Sequence, residues 1–200
     1  MLNLFNQEPI ILNLPDAEFI YYPNFFSKEK ADLFLEKLYH ETAWQQDDIT
    51  IFGKKIAQPR LTSLYGNEGK SYGYSNIIMQ PHPLNTSLTF IKDEIENAIN
   101  EHFTTVLLNL YRNEKDSNGW HADNEKELGR DPVIASVSFG EARMFQIKHN
   151  TKKEIKQSLL LEHGSLLVMK NGAQIHYKHQ IPKSTQPKKP RINLTFRKIL

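Results

Sequence analysis

The chain has 200 residues, 39% of them hydrophobic and 10% aromatic, enough apolar side chain for one core and a poor composition for a disordered or multidomain protein. It has no cysteine, which excludes disulfide scaffolds, thiolate zinc sites, iron–sulfur clusters and thiol nucleophiles; any metal is held by His, Asp or Glu. The formal charge is only +2, yet the last acid is Glu162 and eight Lys and Arg residues follow it, a one-sided distribution suited to phosphate.

No apolar run is long enough to span a bilayer, and the first residues lack a basic start before an apolar stretch. The expectation is a soluble, cytoplasmic protein (nuclear in a eukaryote), with no membrane partner. Without repeats or a linker-like segment, residues 1–200 read as one domain. Ser27 is placed to cap a helix whose apolar residues Ala31, Leu33, Phe34, Leu35 and Leu38 keep helical spacing to about residue 42. Leu84, Leu88, Ile91, Ile95, Ala98 and Ile99 mark a second helix, with charged residues on its other face. From about residue 103 the character changes to short β-branched and aromatic runs, among them TTVLLNLY, VIASVSF, RMFQIKH and RINLTFRKIL. Helices followed by strands predict an α+β protein in which helices buttress an antiparallel sheet or barrel.

In GWHADNE, His121 and Asp123 are two apart, so on a strand both side chains leave the same face. A third ligand from elsewhere in the sheet would complete a facial triad, leaving open positions on Fe(II); His163, His176 and His179 are the candidates. His163, beside Gly164, suits a hydrogen-bonded strand end better. RINLTFR alternates Ile192, Leu194 and Phe196 with Arg191, Asn193, Thr195 and Arg197. Two arginines on one face beside a metal pair suit a dicarboxylate, whose oxygens match the guanidinium fork; their Cα atoms lie about 20 Å apart, so long inward side chains are needed to reach one small dianion. Asn109 and Tyr111 share a face of LLNLYR and offer neutral donors.

The runs NLYRNEKDSNGWHADNE, SVSFGEARMFQIKH, LEHGSLLVM and HYKHQIPKSTQPKKPRINLTFRKIL, in this order, resemble the AlkB family of iron- and 2-oxoglutarate-dependent nucleic-acid dealkylases, in particular its duplex-DNA-repairing branch. The resemblance implies a double-stranded β-helix (jelly-roll) core over about residues 103–200, a nucleotide-recognition hairpin and lid over about 45–80, and Fe(II), 2-oxoglutarate and O2 as cofactor and cosubstrates. It implies His121, Asp123 and His179 as iron ligands, and Asn109, Tyr111, Arg191, Asn193 and Arg197 as holders of 2-oxoglutarate. ITIFGKK resembles a hairpin that inserts an aromatic ring into the base stack, with Phe52 as wedge and Lys54 beside phosphate. SYGYSN resembles the substrate lid, with Tyr72 and Tyr74 stacking a flipped base and Glu125 contacting its amino edge. Tyr74 departs from the family's Phe. Lys188 and Lys189 are expected on phosphates. The implied function is direct-reversal demethylation of bases such as 1-methyladenine and 3-methylcytosine in DNA by a monomer, releasing formaldehyde and forming succinate and CO2. The partner is duplex DNA with a flipped base, or else single-stranded DNA or RNA. The alternatives are a 2-oxoglutarate oxygenase of RNA or another substrate, and a nucleic-acid binder whose metal site is inactive.

Overall fold

The computed structural model describes residues 8–51, 54–66, 72–74 and 77–200. Strands β1 (Ile10–Leu12) and β2 (Glu18–Tyr22) lead into helix α1 (Lys28–Glu41), which starts where expected, the Ser27 hydroxyl accepting from the Lys30 amide. A hairpin of β3 (Asp48–Ile51) and β4 (Lys54–Ala57) follows, then β5 (Leu61–Gly66) and a ribbon of β6 (Tyr72–Tyr74) and β7 (Ile77–Met79). Helix α2 (Thr86–Ile99) begins two residues after Leu84, because the Asn85 side chain caps it by accepting from the Leu88 amide at 2.9 Å. The β-rich second half holds β8 (Thr105–Tyr111), β9 (Asn118–His121), β10 (Ile134–Gly140), β11 (Arg143–His149), β12 (Lys156–Leu161), β13 (Ser165–Lys170), the single turn α3 (Ala173–His176), β14 (Tyr177–Ile181) and β15 (Arg191–Arg197).

Two antiparallel sheets are built from these strands, ordered β1-β2-β13-β10-β15-β8-β5 and β12-β11-β14-β9. Residues 105–197 thus supply four strands to each sheet, the facing arrangement of a double-stranded β-helix. The larger sheet also recruits β1, β2 and β5 from the first half.

Strands β8, β10 and β13 of the larger sheet serve two cores. Ile192, Leu194 and Phe196 of β15, with Val106, Leu108 and Leu110 of β8, pack on Phe34 and Leu38 of α1 and Leu88, Ile91 and Ile95 of α2. All of these are buried, and removing such a side chain from water contributes about 1.5–3 kcal/mol. The helices therefore buttress the outer face of the sheet. On its other face Leu107, Tyr111, Leu167 and Met169 meet Phe145, Ile147, Leu161 and Tyr177 of the smaller sheet. The alternation expected for β15 holds along its length, so Arg191, Asn193, Thr195 and Arg197 point between the sheets, where the helices cannot reach.

One backbone position lets β15 begin where it does. Gly140 ends β10 with φ 90°, and a Cβ there would strike the Pro190 carbonyl oxygen. That close approach brings residue 190 against β10, where the Glu141 amide donates to the Pro190 carbonyl at 3.0 Å, and Arg191 follows on the inward face.

Candidate active site

His121 ends β9 and His179 lies mid-way along β14, and these strands pair with the two histidines directly opposite. Their rings stand 4.3 Å apart at 66°. Asp123 leaves the end of β9 and is buried, its amide donating to the Gln174 side chain of α3 at 2.9 Å. One ligand atom from each of His121, Asp123 and His179 lies within 4.8 Å of the other two, and no other such cluster occurs among the described residues. Of the three histidines that sequence left open, His179 therefore completes the set. His163 is structural, accepting from the Gly140 amide at 2.8 Å and facing Asp32 at 3.1 Å, and His176 stacks on His149.

Protonation suits metal binding. Burial drives the His179 imidazole down to about 3, aided by His121 and opposed by Asp123. Burial likewise lowers His121, against Asp123 and the Gly119 carbonyl. Burial would raise the Asp123 carboxyl, but Arg197, His121 and His179 outweigh it and hold it far below the usual carboxylate range. Two neutral imidazoles and one carboxylate result, a donor set that fits a divalent metal such as Fe(II). His121 is oriented by its Nδ1, 2.7 Å from the Gly119 carbonyl, and its Nε2 faces the Asn118 side-chain amide at 3.2 Å, which a metal at Nε2 would displace. Phe145 stacks on His179 with ring centres 5.1 Å apart.

Above this cluster lie the inward groups of β8 and β15. Arg197 reaches Asp123 at 2.6 Å. Arg191, at the other end of β15, is 1% exposed and its guanidinium lies 5.1 Å from the centre of the Tyr111 ring. It donates to the Ser138 hydroxyl at 2.9 Å, but its Nε and Nη1 are buried without a partner in hydrogen-bond geometry. Burial lowers it to about 10, with Tyr111 opposing and Arg143 adding to the fall. A buried guanidinium with free donors calls for an anion, and a carboxylate of 2-oxoglutarate fits it. Asn193 donates to the Ser136 hydroxyl at 2.8 Å and accepts from Thr195 at 3.1 Å, a chain that fixes the floor. Asn109, Tyr111, Arg191, Asn193 and Arg197 all line this pocket together with the three metal-type ligands.

Two groups escaped the sequence reading. Arg60, buried just before β5, donates through Nε to Asn109 Oδ1 at 2.8 Å. Gln174 seats Asp123. Neither has a local signal, since Arg60 is 49 residues from Asn109 and Gln174 is 51 from Asp123.

The expected substrate contacts are placed less completely. The ITIFGKK hairpin is present as β3 and β4 with Ile51 opposite Lys54, but Phe52 lies outside the described residues. The backbone of Tyr72–Tyr74 pairs with Ile77–Met79. Glu125 is half-buried two residues past Asp123, at the start of a short turn over Lys126–Leu128. Lys188 is ion-paired with Glu141 at 2.9 Å, and Lys189 lies in a groove against α1, so neither lines the pocket.

A double-stranded β-helix with a His-x-Asp and distant His cluster beside inward arginines is the architecture of an iron- and 2-oxoglutarate-dependent oxygenase. The family model of the 2OG-Fe(II) oxygenase superfamily matches residues 18–197. Alpha-ketoglutarate-dependent dioxygenase alkB homolog 3 of Homo sapiens is 40% identical over 192 residues, covering 89% of this chain and 65% of the relative. The Bos taurus form is 40% identical over 191 residues, with 88% and 64% covered, so the chain spans just under two thirds of these relatives. DNA oxidative demethylase ALKBH2 of Homo sapiens is 35% identical over 189 residues, covering 90% and 72%. The solved structure of OsALKBH1 superposes with a TM-score of 0.69 at 15% identity, covering 94% of this chain and 100% of that one, which supports the fold. The chain belongs to the AlkB family of 2OG-Fe(II) oxygenases.

Proposed function

We propose that the protein is an Fe(II)- and 2-oxoglutarate-dependent dioxygenase that removes methyl groups from the pairing edge of DNA bases of the 1-methyladenine and 3-methylcytosine type. The observation that carries this reading is the convergence of two neutral imidazoles and one carboxylate within 4.8 Å of one another, in a pocket whose far wall is a buried arginine with free donors. The similarity to a protein named DNA oxidative demethylase supports the substrate class.

His121, Asp123 and His179 would hold the iron, and Arg191, Tyr111, Asn109, Asn193 and Arg197 the cosubstrate. Bound there, iron with 2-oxoglutarate and O2 supplies a two-electron oxidation of an N-methyl C–H bond, with succinate and CO2 as coproducts. The hydroxylated methyl then leaves the nitrogen as formaldehyde, restoring the base. The chain's own contribution is positioning. Gly119 and Gln174 fix two ligands, Phe145 packs the third, and the sheet interior excludes water.

A methyl on the pairing edge is inaccessible within a duplex, so the base must be extruded. Phe52 fills the gap it leaves, Tyr72 and Tyr74 stack the extruded ring, and Glu125 accepts from its amino edge. Lys54, Lys188 and Lys189 meet phosphates, Lys188 by leaving Glu141. The protein acts as a monomer inside the cell; no helix among the described residues is long and apolar enough to cross a membrane.

The test is incubation of methylated single-stranded and duplex oligonucleotides with iron, ascorbate and 2-oxoglutarate. Mass spectrometry should show loss of one methylene per lesion, abolished by Asp123→Ala. Phe52→Ala should lower turnover on duplex more than on single strands. No mass change on either substrate, with a formed iron–2-oxoglutarate charge-transfer band, would reject these substrates and leave an oxygenase of another class.

A further inference from the structure

The outer face of the smaller sheet carries a second feature that the pocket does not use. Along β11 the residues turned away from the core are Met144, Gln146 and Lys148. Lys148 lies directly opposite Lys156 of β12 on one side and Lys178 of β14 on the other. Three lysines thus lie in register across three neighbouring strands, like charges that destabilise a sheet when no anion answers them. Lys28, Lys92, Lys152, Lys170 and Lys188 each form an ion pair with a carboxylate. Lys148, Lys156 and Lys178 form none among the described residues, although Glu154 is only two positions from Lys156 in the β11–β12 turn.

The row has an aromatic end. Lys148 reaches across β14 so that its Nζ lies 4.2 Å from the centre of the Trp120 ring, which is exposed. Trp120 belongs to β9, the edge strand of the sheet, and precedes His121. Successive side chains of a strand leave by opposite faces, so at this one edge His121 enters the pocket while Trp120 opens onto the lysine face. Likewise His179 points inward and Lys178 outward. A nucleic-acid strand whose base is held at His121 needs to turn only around the β9 edge to lay its next phosphates on the lysines and a base on the indole.

We infer that the Lys148–Lys156–Lys178 row, with Trp120, is a docking track for the phosphodiester backbone flanking the processed nucleotide. Lysines spaced along one line and joined to an exposed aromatic are the elements of sequence-independent strand binding, in which charge follows the backbone and a ring stacks a base. The inference rests on the proposed nucleic-acid reading and extends it beyond the pocket.

The experiment compares wild type, Lys156→Gln/Lys178→Gln, and Lys37→Gln on exposed α1 as a charge control. Affinities are measured by fluorescence anisotropy over a range of salt, for a trinucleotide and for a strand of about twenty nucleotides that overruns the pocket. The double variant should bind the long strand more weakly, with its logarithmic salt slope smaller by about 1.4, since each single-strand phosphate contact contributes about 0.7. Trinucleotide affinity, the control variant and the anaerobic iron–2-oxoglutarate charge-transfer band should not change. Equal slopes for wild type and double variant, or an equal loss in Lys37→Gln, overturn the track while leaving the enzyme reading intact. Preferential competition by polyglutamate over the long strand, with no dependence on strand length, overturns it in favour of an acidic protein partner. A wild type that binds neither strand yet forms the charge-transfer band removes the nucleic-acid reading and the track together.

Discussion

Nε of Arg60 donates to Oδ1 of Asn109 at 2.8 Å, and this bond ties the segment that follows the β3–β4 hairpin to the wall of the cosubstrate pocket. Arg60 also donates to the Ser117 carbonyl at 3.2 Å, and the Ser117 amide donates to the Pro59 carbonyl at 2.9 Å, so the residues before β5 and before β9 are locked to one another. An amide whose oxygen is occupied in this way presents its Nδ2 donors elsewhere, toward the pocket that Asn109 lines.

Arg60→Met should therefore weaken 2-oxoglutarate binding by roughly tenfold, the effect of leaving a buried acceptor unsatisfied at about 1–2 kcal/mol. The anaerobic charge-transfer titration reads this directly, and KM for 2-oxoglutarate should rise more than kcat falls. Unchanged affinity would show that the Asn109 amide is oriented by other neighbours.

Arg191 separates stability from function. Its fully buried guanidinium is lowered to about 10 by burial and carries donors without partners, so in the absence of an anion it is a cost to the fold. Arg191→Met should melt at the same temperature as wild type or higher without ligand, and lose the added stability that 2-oxoglutarate confers on wild type. A melting temperature several degrees lower in the variant would contradict this account.

Asp123 gives the opposite result. Arg197 and Asp123 are each at most 3% exposed and meet at 2.6 Å, and removing one member of such a pair leaves the other's charge buried. Asp123→Ala should lower the urea unfolding free energy by about 3–5 kcal/mol, whereas the double variant Asp123→Ala/Arg197→Met should recover much of that loss. Additive losses would show that the two groups do not interact energetically.

The sequence makes these contrasts partly visible. The alternation of RINLTFR is a direct record of a strand with helices on one side and a polar interior on the other, so the inward placement of Arg191 and Arg197 is legible in the sequence alone. His121 and Asp123 are legible as a pair from their i, i+2 spacing, but β9 ends at His121, and Asp123 is turned to the same centre by its amide bond to Gln174 and its ion pair with Arg197. The choice among His163, His176 and His179 is not legible, because it depends on β14 pairing with β9 in the register that opposes His179 to His121. Strands β2 and β5 also lacked a signal: β5 is buried at five of six positions, so its residues show no apolar–polar alternation, and EFIYY carries bulky groups toward both faces. Arg60 and Gln174 act only through partners about fifty residues away, a relationship created by sheet order and absent from local spacing.

The triad also makes stability depend on acidity in a definite direction. An unfolded histidine titrates near 6.5, whereas His179 in the fold titrates at about 3. Between those values the unfolded chain binds a proton that the folded chain refuses, so stability is complete above pH 6.5 and is lost as the pH falls. Asp123 acts in the same sense at lower pH, because its carboxyl is depressed below the ordinary 3.8 by Arg197 and the two imidazoles against the opposing effect of burial. At 1.36 kcal/mol per pH unit, the histidine contribution alone should remove about 2 kcal/mol between pH 6.5 and 5. Urea denaturation of the metal-free protein should show its midpoint falling over this interval, and His179→Gln should flatten the dependence. A midpoint that is constant or rises on acidification would mean that His179 is solvated and charged in the fold, and the cluster would then not be the neutral donor set on which metal binding depends.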